Sequence, residues 1–65
     1  MKPNEIRAAL LMKGIRLVDI ANKLKVSRSA VSSIISGKYK SARIQEEIAG
    51  AIGKSVEEIW PDIAA

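Results

Sequence analysis

The run Leu17-Val18-Asp19-Ile20-Ala21-Asn22-Lys23-Leu24-Lys25-Val26-Ser27-Arg28-Ser29-Ala30-Val31-Ser32-Ser33-Ile34-Ile35-Ser36 holds two short helical patterns and a turn. Leu17, Val18, Ile20, Ala21 and Leu24 recur with a 3.6-residue rather than an alternating period, which predicts a helix over 17–24. Its cap is poor, because Arg16 stands where Ser, Thr, Asp or Asn would accept a free amide hydrogen. Ser27 is a good N-cap for a second helix through Ser36, and Gly37 a good terminator. At about 100° per residue, Arg28, Ser29, Ser32, Ser33 and Ser36 fall on one arc of that helix. Ala30, Val31, Ile34 and Ile35 fall on the other. The apolar arc must be buried, which leaves a solvent face of one Arg and four Ser. A merely solvated face favours Lys and Glu, which are better helix formers. Small hydroxyl side chains instead let a helix backbone settle deep into a groove, where they donate to or accept from base edges and phosphates.

The flanking sequence extends this pattern to an all-α chain. Pro3 fits a first helical turn, Ile6, Ala9 and Leu10 have helical spacing, and Gly14 is placed for a left-handed cap after Lys13. Ser41 caps a helix in which Ile44, Ile48 and Ile52 recur every four residues up to Gly53. Ser55-Val56-Glu57-Glu58 reads as a capping box opening one short turn that Pro61 stops. The expectation is therefore one compact five-helix domain over residues 1–65, with no strand. Its expected core is Ile6, Leu10, Leu17, Ile20, Ala21, Leu24, Val26, Val31, Ile34, Ile48 and Ile52. Sixty-five residues hold a single modest core.

Charge and composition narrow the function. Residues 1–45 carry ten Lys and Arg against Glu5 and Asp19, a net +8, whereas residues 46–65 carry Lys54 against five carboxylates, a net −4. The basic part attracts polyanions and the acidic part does not. With no Cys and no His, disulfides, Cys/His zinc sites and thiol or imidazole catalysis are excluded. The adjacent pairs Glu46-Glu47 and Glu57-Glu58 diverge by about 100° on a helix and cannot converge on a substrate. No catalytic residue, metal ligand or cofactor site is expected, so an enzyme is not. The longest apolar run, residues 8–12, is far short of the roughly 20 residues that span a bilayer. With no signal-peptide pattern at the N-terminus, a cytoplasmic protein, nucleoid-associated when bound to DNA, is the expectation.

Residues 17–36 resemble the helix-turn-helix of the phage-repressor-like (lambda-repressor-like) superfamily. The resemblance rests on the small Ala21 where two helices cross, a three-residue turn over 25–27, and Val31 and Ile34 as packing residues. That superfamily usually has Gly where Lys25 stands, so a left-handed backbone there would strain Lys25 by roughly 1 kcal/mol. Over nearly the whole chain the pattern is similar to the Ner family of transposable phages. It carries Glu5-Ile6-Arg7-Ala8-Ala9-Leu10 at the start and Glu58-Ile59-Trp60-Pro61 at the end. The resemblance implies a five-helix repressor-like fold, sequence-specific binding of double-stranded DNA without enzymatic activity, and control of phage or host transcription.

On this reading Arg28, Ser29, Ser32 and Ser33 contact DNA in the major groove, with Ser27 and Ser36 at the ends of the recognition helix 28–36. Lys38, Tyr39 and Lys40 follow that helix along the sugar-phosphate edge. Arg7, Arg16, Lys23 and Lys25 read more as solvating charges than as contacts, with some of them expected to reach phosphate, and Trp60 as a lid on the core, with a dimer contact as its rival role. With no leucine-rich seam beyond the core, a monomer or weak homodimer that pairs on DNA is expected. The competing class is a small helical interaction module, adaptor or antitoxin-like, whose serine face meets a protein.

Overall fold

Residues 1–61, which the computed structural model describes, fold into five helices. They are α1 (Pro3–Met12), α2 (Leu17–Leu24), α3 (Arg28–Ile35), α4 (Ala42–Ile52) and α5 (Val56–Ile59), with no strand among the described residues. The last four residues of the expected domain, 62–65, lie outside the described residues.

Local polar groups set where the helices begin. Ser27 Oγ accepts from the Ala30 amide at 3.1 Å, Ser41 Oγ from Ile44 at 3.5 Å, and Ser55 Oγ from Glu58 at 3.2 Å. Lys2 and Arg16, which offer no capping oxygen, are served from the other direction. The Lys2 amide donates to Glu5 Oε1 at 2.7 Å and the Arg16 amide to Asp19 Oδ2 at 2.9 Å. A carboxylate three residues inside the helix thus replaces the missing N-cap and complements the positive end of the helix dipole. At Ser55 the hydroxyl half of the expected capping box forms, while the Glu58 carboxylate lies 3.9 Å from Lys54 Nζ.

The first four helices stop in the same way. A residue with positive φ follows each, and the next amide bonds back to a carbonyl five residues earlier: Ile15 to Leu10, Val26 to Ala21, Lys38 to Ser33, and Lys54 to Ala49. Three of these left-handed positions are glycine and the fourth is Lys25, at φ 58°. A Cβ in this conformation crowds the following carbonyl, so Lys25→Gly should stabilise the exposed turn by roughly 1 kcal/mol. For a domain of this size that gain raises the melting midpoint by about 4–8 °C. Thermal unfolding followed by circular dichroism checks it, and a midpoint no higher than the parent's would remove the strain argument.

Helix α4 packs against all four other helices, and α2 packs most closely against α3. Ala21, 2% exposed, lies in the α2/α3 pair, where a small side chain permits close approach. Nine of the expected core residues are buried, joined by Ile35, Ile44, Ala49, Ile59 and Trp60. Leu17 and Val26 correct the expectation: both are half-buried and pack on the edge of the cluster. The first opens α2 and the second lies in the turn, so neither is surrounded by neighbouring helices. Two longer links brace the assembly. Arg43 Nη2 of α4 donates to the Leu24 carbonyl at the end of α2 (2.9 Å), and the Met1 nitrogen donates to the Ile59 carbonyl (2.8 Å). Among the described residues no helix is long and apolar enough to cross a membrane.

Candidate functional site

The apolar arc of α3 enters the core through Val31, Ile34 and Ile35, which turns the Arg28 and serine arc outward. Along that arc Arg28, Ser29 and Ser36 are exposed, while Ser32 and Ser33 are half-buried. The strip is therefore less open at its middle than helical projection alone predicts, because neighbouring elements rise on both of its sides.

On one side lies an open groove of about 470 Å³ with an apolar floor, lined by Leu10, Leu11, Ile15, Leu17 and Val18 and by three arginines, Arg7, Arg16 and Arg28. These arginines come from α1, from the residue before α2 and from the first position of α3. On the other side a groove of about 400 Å³ is lined by Ser29, Ala30, Ser33 and Ile34 of α3 together with Tyr39, Lys40, Ser41 and Ile44. Tyr39 is 68% exposed, so its ring stands at the rim of this groove instead of entering the core. Lys38 and Lys40 are exposed beside it. No carboxylate among the described residues lines either groove. The contrast is with a third groove, away from α3, where Asp19 and Glu47 stand beside Lys23.

The two sides of α3 thus carry cations on separate elements, a geometry suited to a ligand with two negatively charged edges. Ser27, also expected at the site, stands at the N-terminus of α3, with its hydroxyl oxygen occupied by the Ala30 amide. Its hydroxyl hydrogen is left to donate outward. Lys23 is drawn away from the strip, with Nζ 2.9 Å from Glu47 Oε2. Arg16 Nε lies 3.7 Å from Asp19 Oδ2.

Arg7, one of the four cations of which some are expected to reach phosphate, is tied to α3 in a way the sequence does not signal. Its Nη2 donates to Ser32 Oγ at 3.1 Å and reaches Ser36 Oγ at 3.5 Å, which sets a guanidinium from α1 against the serine arc of α3. The partners stand 25 and 29 residues away in the chain, so no local spacing signals the contact.

A family model described as winged helix-turn-helix DNA-binding matches residues 1–63. No curated protein and no solved structure matches the chain in the corresponding comparisons. α2 and α3 are two short packed helices joined by a tight turn, and the described residues contain no β-hairpin that would form a wing.

Proposed function

The chain belongs to the family of winged helix-turn-helix DNA-binding domains, and from that premise we propose that it is a sequence-specific regulator of transcription that reads duplex DNA with α3. Residues 1–65 act as one DNA-binding domain whose helix-turn-helix lies at about 17–36. The recognition face consists of Ser27, Arg28, Ser29, Ser32, Ser33 and Ser36, and the loop residues Lys38, Tyr39 and Lys40 follow the sugar-phosphate edge. The observation that carries the reading is the strip of small hydroxyls on α3, flanked on both sides by grooves free of carboxylates. B-DNA offers the complementary shape, a major groove wide enough for one helix and bordered by two phosphate backbones.

The similarity to Ner-type sequences in Glu5-Ile6-Arg7-Ala8-Ala9-Leu10 and Glu58-Ile59-Trp60-Pro61 supports a phage or prophage repressor acting in the cytoplasm. Two copies, monomeric or weakly paired when free, meet on DNA across half-sites one helical turn apart. Selection of bound sequences from a random duplex pool tests the reading: an enriched motif with a two-fold repeat is the expected result. Failure of any motif to enrich, with binding insensitive to salt, would favour a protein-interaction module instead.

Lys40→Ala tests the role given to the loop. A phosphate contact carries no sequence information, so the substitution should weaken a selected and a scrambled duplex by the same factor. It should also lower the slope of log affinity against log salt by about 0.9. A loss confined to the selected duplex would instead make Lys40 a reader of bases.

A further inference from the structure

Residues 38–40 lie on one side of α3, whereas a helix seated in the major groove lies between two backbones, and the sequence alone does not tell which of Arg7, Arg16, Lys23 and Lys25 reaches the second. We infer that Arg7 supplies the phosphate contact on the opposite side, and that Ser32 and Ser36 hold its guanidinium in place instead of reading bases. This inference rests on the DNA-binding reading of α3.

Three observations carry it. The Arg7 guanidinium is fixed to the recognition helix by Ser32 Oγ and Ser36 Oγ, although it belongs to α1. It lines the groove opposite the one that contains Lys40, together with Arg28 at the start of α3. Its charge is also left for an outside partner. Among the described residues Arg16 stands by the Asp19 carboxylate, whereas the partners of Arg7 are two neutral hydroxyls. Hydroxyl acceptors orient a guanidinium without neutralising it, and its remaining N–H donors form a fork that matches phosphate oxygens.

Ser32 and Ser36 then act through Arg7. They lie one helical turn apart on the row that begins at Arg28, which is the row turned toward α1. Ser29 and Ser33 lie on the side of the Lys40 groove, so base reading by serine passes to them. Holding a long side chain in its bound rotamer before DNA arrives reduces the entropy lost on binding.

The test uses the full chain with a selected 20-base-pair duplex and its scrambled counterpart, over a series of salt concentrations. Arg7→Ala should weaken both duplexes equally, by about tenfold, and lower the salt slope by about 0.9. Arg7→Lys, which keeps the charge and loses the fork, should restore the slope and only part of the affinity. The double variant Ser32→Ala/Ser36→Ala should weaken both duplexes by about two- to threefold with base preference unchanged, and should add nothing in the Arg7→Ala background. Arg7 and Ser36 are exposed and Ser32 is half-buried, and Ala is a better helix former than Ser, so each variant should keep the parent's circular dichroism.

Unchanged affinity and slope for Arg7→Ala would place Arg7 outside the footprint. A changed base preference for the serine double variant in the Arg7→Ala background would return those serines to base reading. Either result overturns the inference while leaving DNA binding intact, provided Arg28→Ala still relaxes preference. If the parent prefers no duplex and shows no salt dependence, the DNA reading and the inference fall together.

Discussion

Replacing Ile48 with alanine should lower stability by about 2–5 kcal/mol. Ile48 is 0% exposed and lies on α4, the helix that packs against every other one. The substitution removes three buried carbons and leaves a void that no single helix can collapse into without losing contact with another. Chains of this length commonly have total stabilities of about 3–10 kcal/mol, so the substitution removes a large share of the total. Urea titration followed by helical circular dichroism measures the change, and a midpoint close to the parent's would contradict the central place given to α4. Loss of DNA affinity in this variant would report unfolding alone.

Arg28→Ala should cost roughly 1–3 kcal/mol on the best duplex and much less on a scrambled one. The side chain stands at the first position of α3, exposed, with no protein partner among the described residues that would have to be broken for it to reach a base. An arginine fork pairs with the N7 and O6 acceptors of guanine, so preference should relax at particular base positions rather than along the whole site. Competition binding against a panel of single-base variants resolves this. Equal losses on every duplex would reduce Arg28 to a holder of phosphate, and sequence reading would have to pass to Ser29 and Ser33.

Much of this architecture is legible in the sequence, because local chemistry and tertiary structure agree. Ser27, Ser41 and Ser55 announce helix starts, and each hydroxyl accepts the expected amide. The poor caps at Lys2 and Arg16 are compensated by Glu5 and Asp19, a pattern visible as an acidic residue at the third helical position. Gln45 is less legible. Its position between Ile44 and Ile48 places it on the inward arc, and it is 3% exposed, but residue type argues for solvent. The candidate site divides similarly. Helical periodicity alone separates the serine arc from the apolar arc, whereas the walls that rise beside it depend on where α1 and the 38–41 loop come to rest. Arg7 shows the limit: its partners are fixed by the packing of α1 near α3, and nothing in Glu5-Ile6-Arg7-Ala8 distinguishes it from an ordinary solvated cation.

The absence of carboxylates from the grooves beside α3 bears also on how the molecule arrives at a polyanion. Arg7, Arg28 and Lys40 border the grooves, while Glu46, Glu57 and Glu58 on α4 and α5 line neither, so positive charge is concentrated beside α3. In the field of a polyanion such an uneven distribution produces a torque that swings the cationic grooves forward. The longest dimension is 29 Å, whereas the field is screened over about 8 Å at physiological ionic strength, so the turn is confined to the last stage of approach. Orientation rather than diffusion limits most protein associations, to rate constants of about 10⁵–10⁷ M⁻¹s⁻¹.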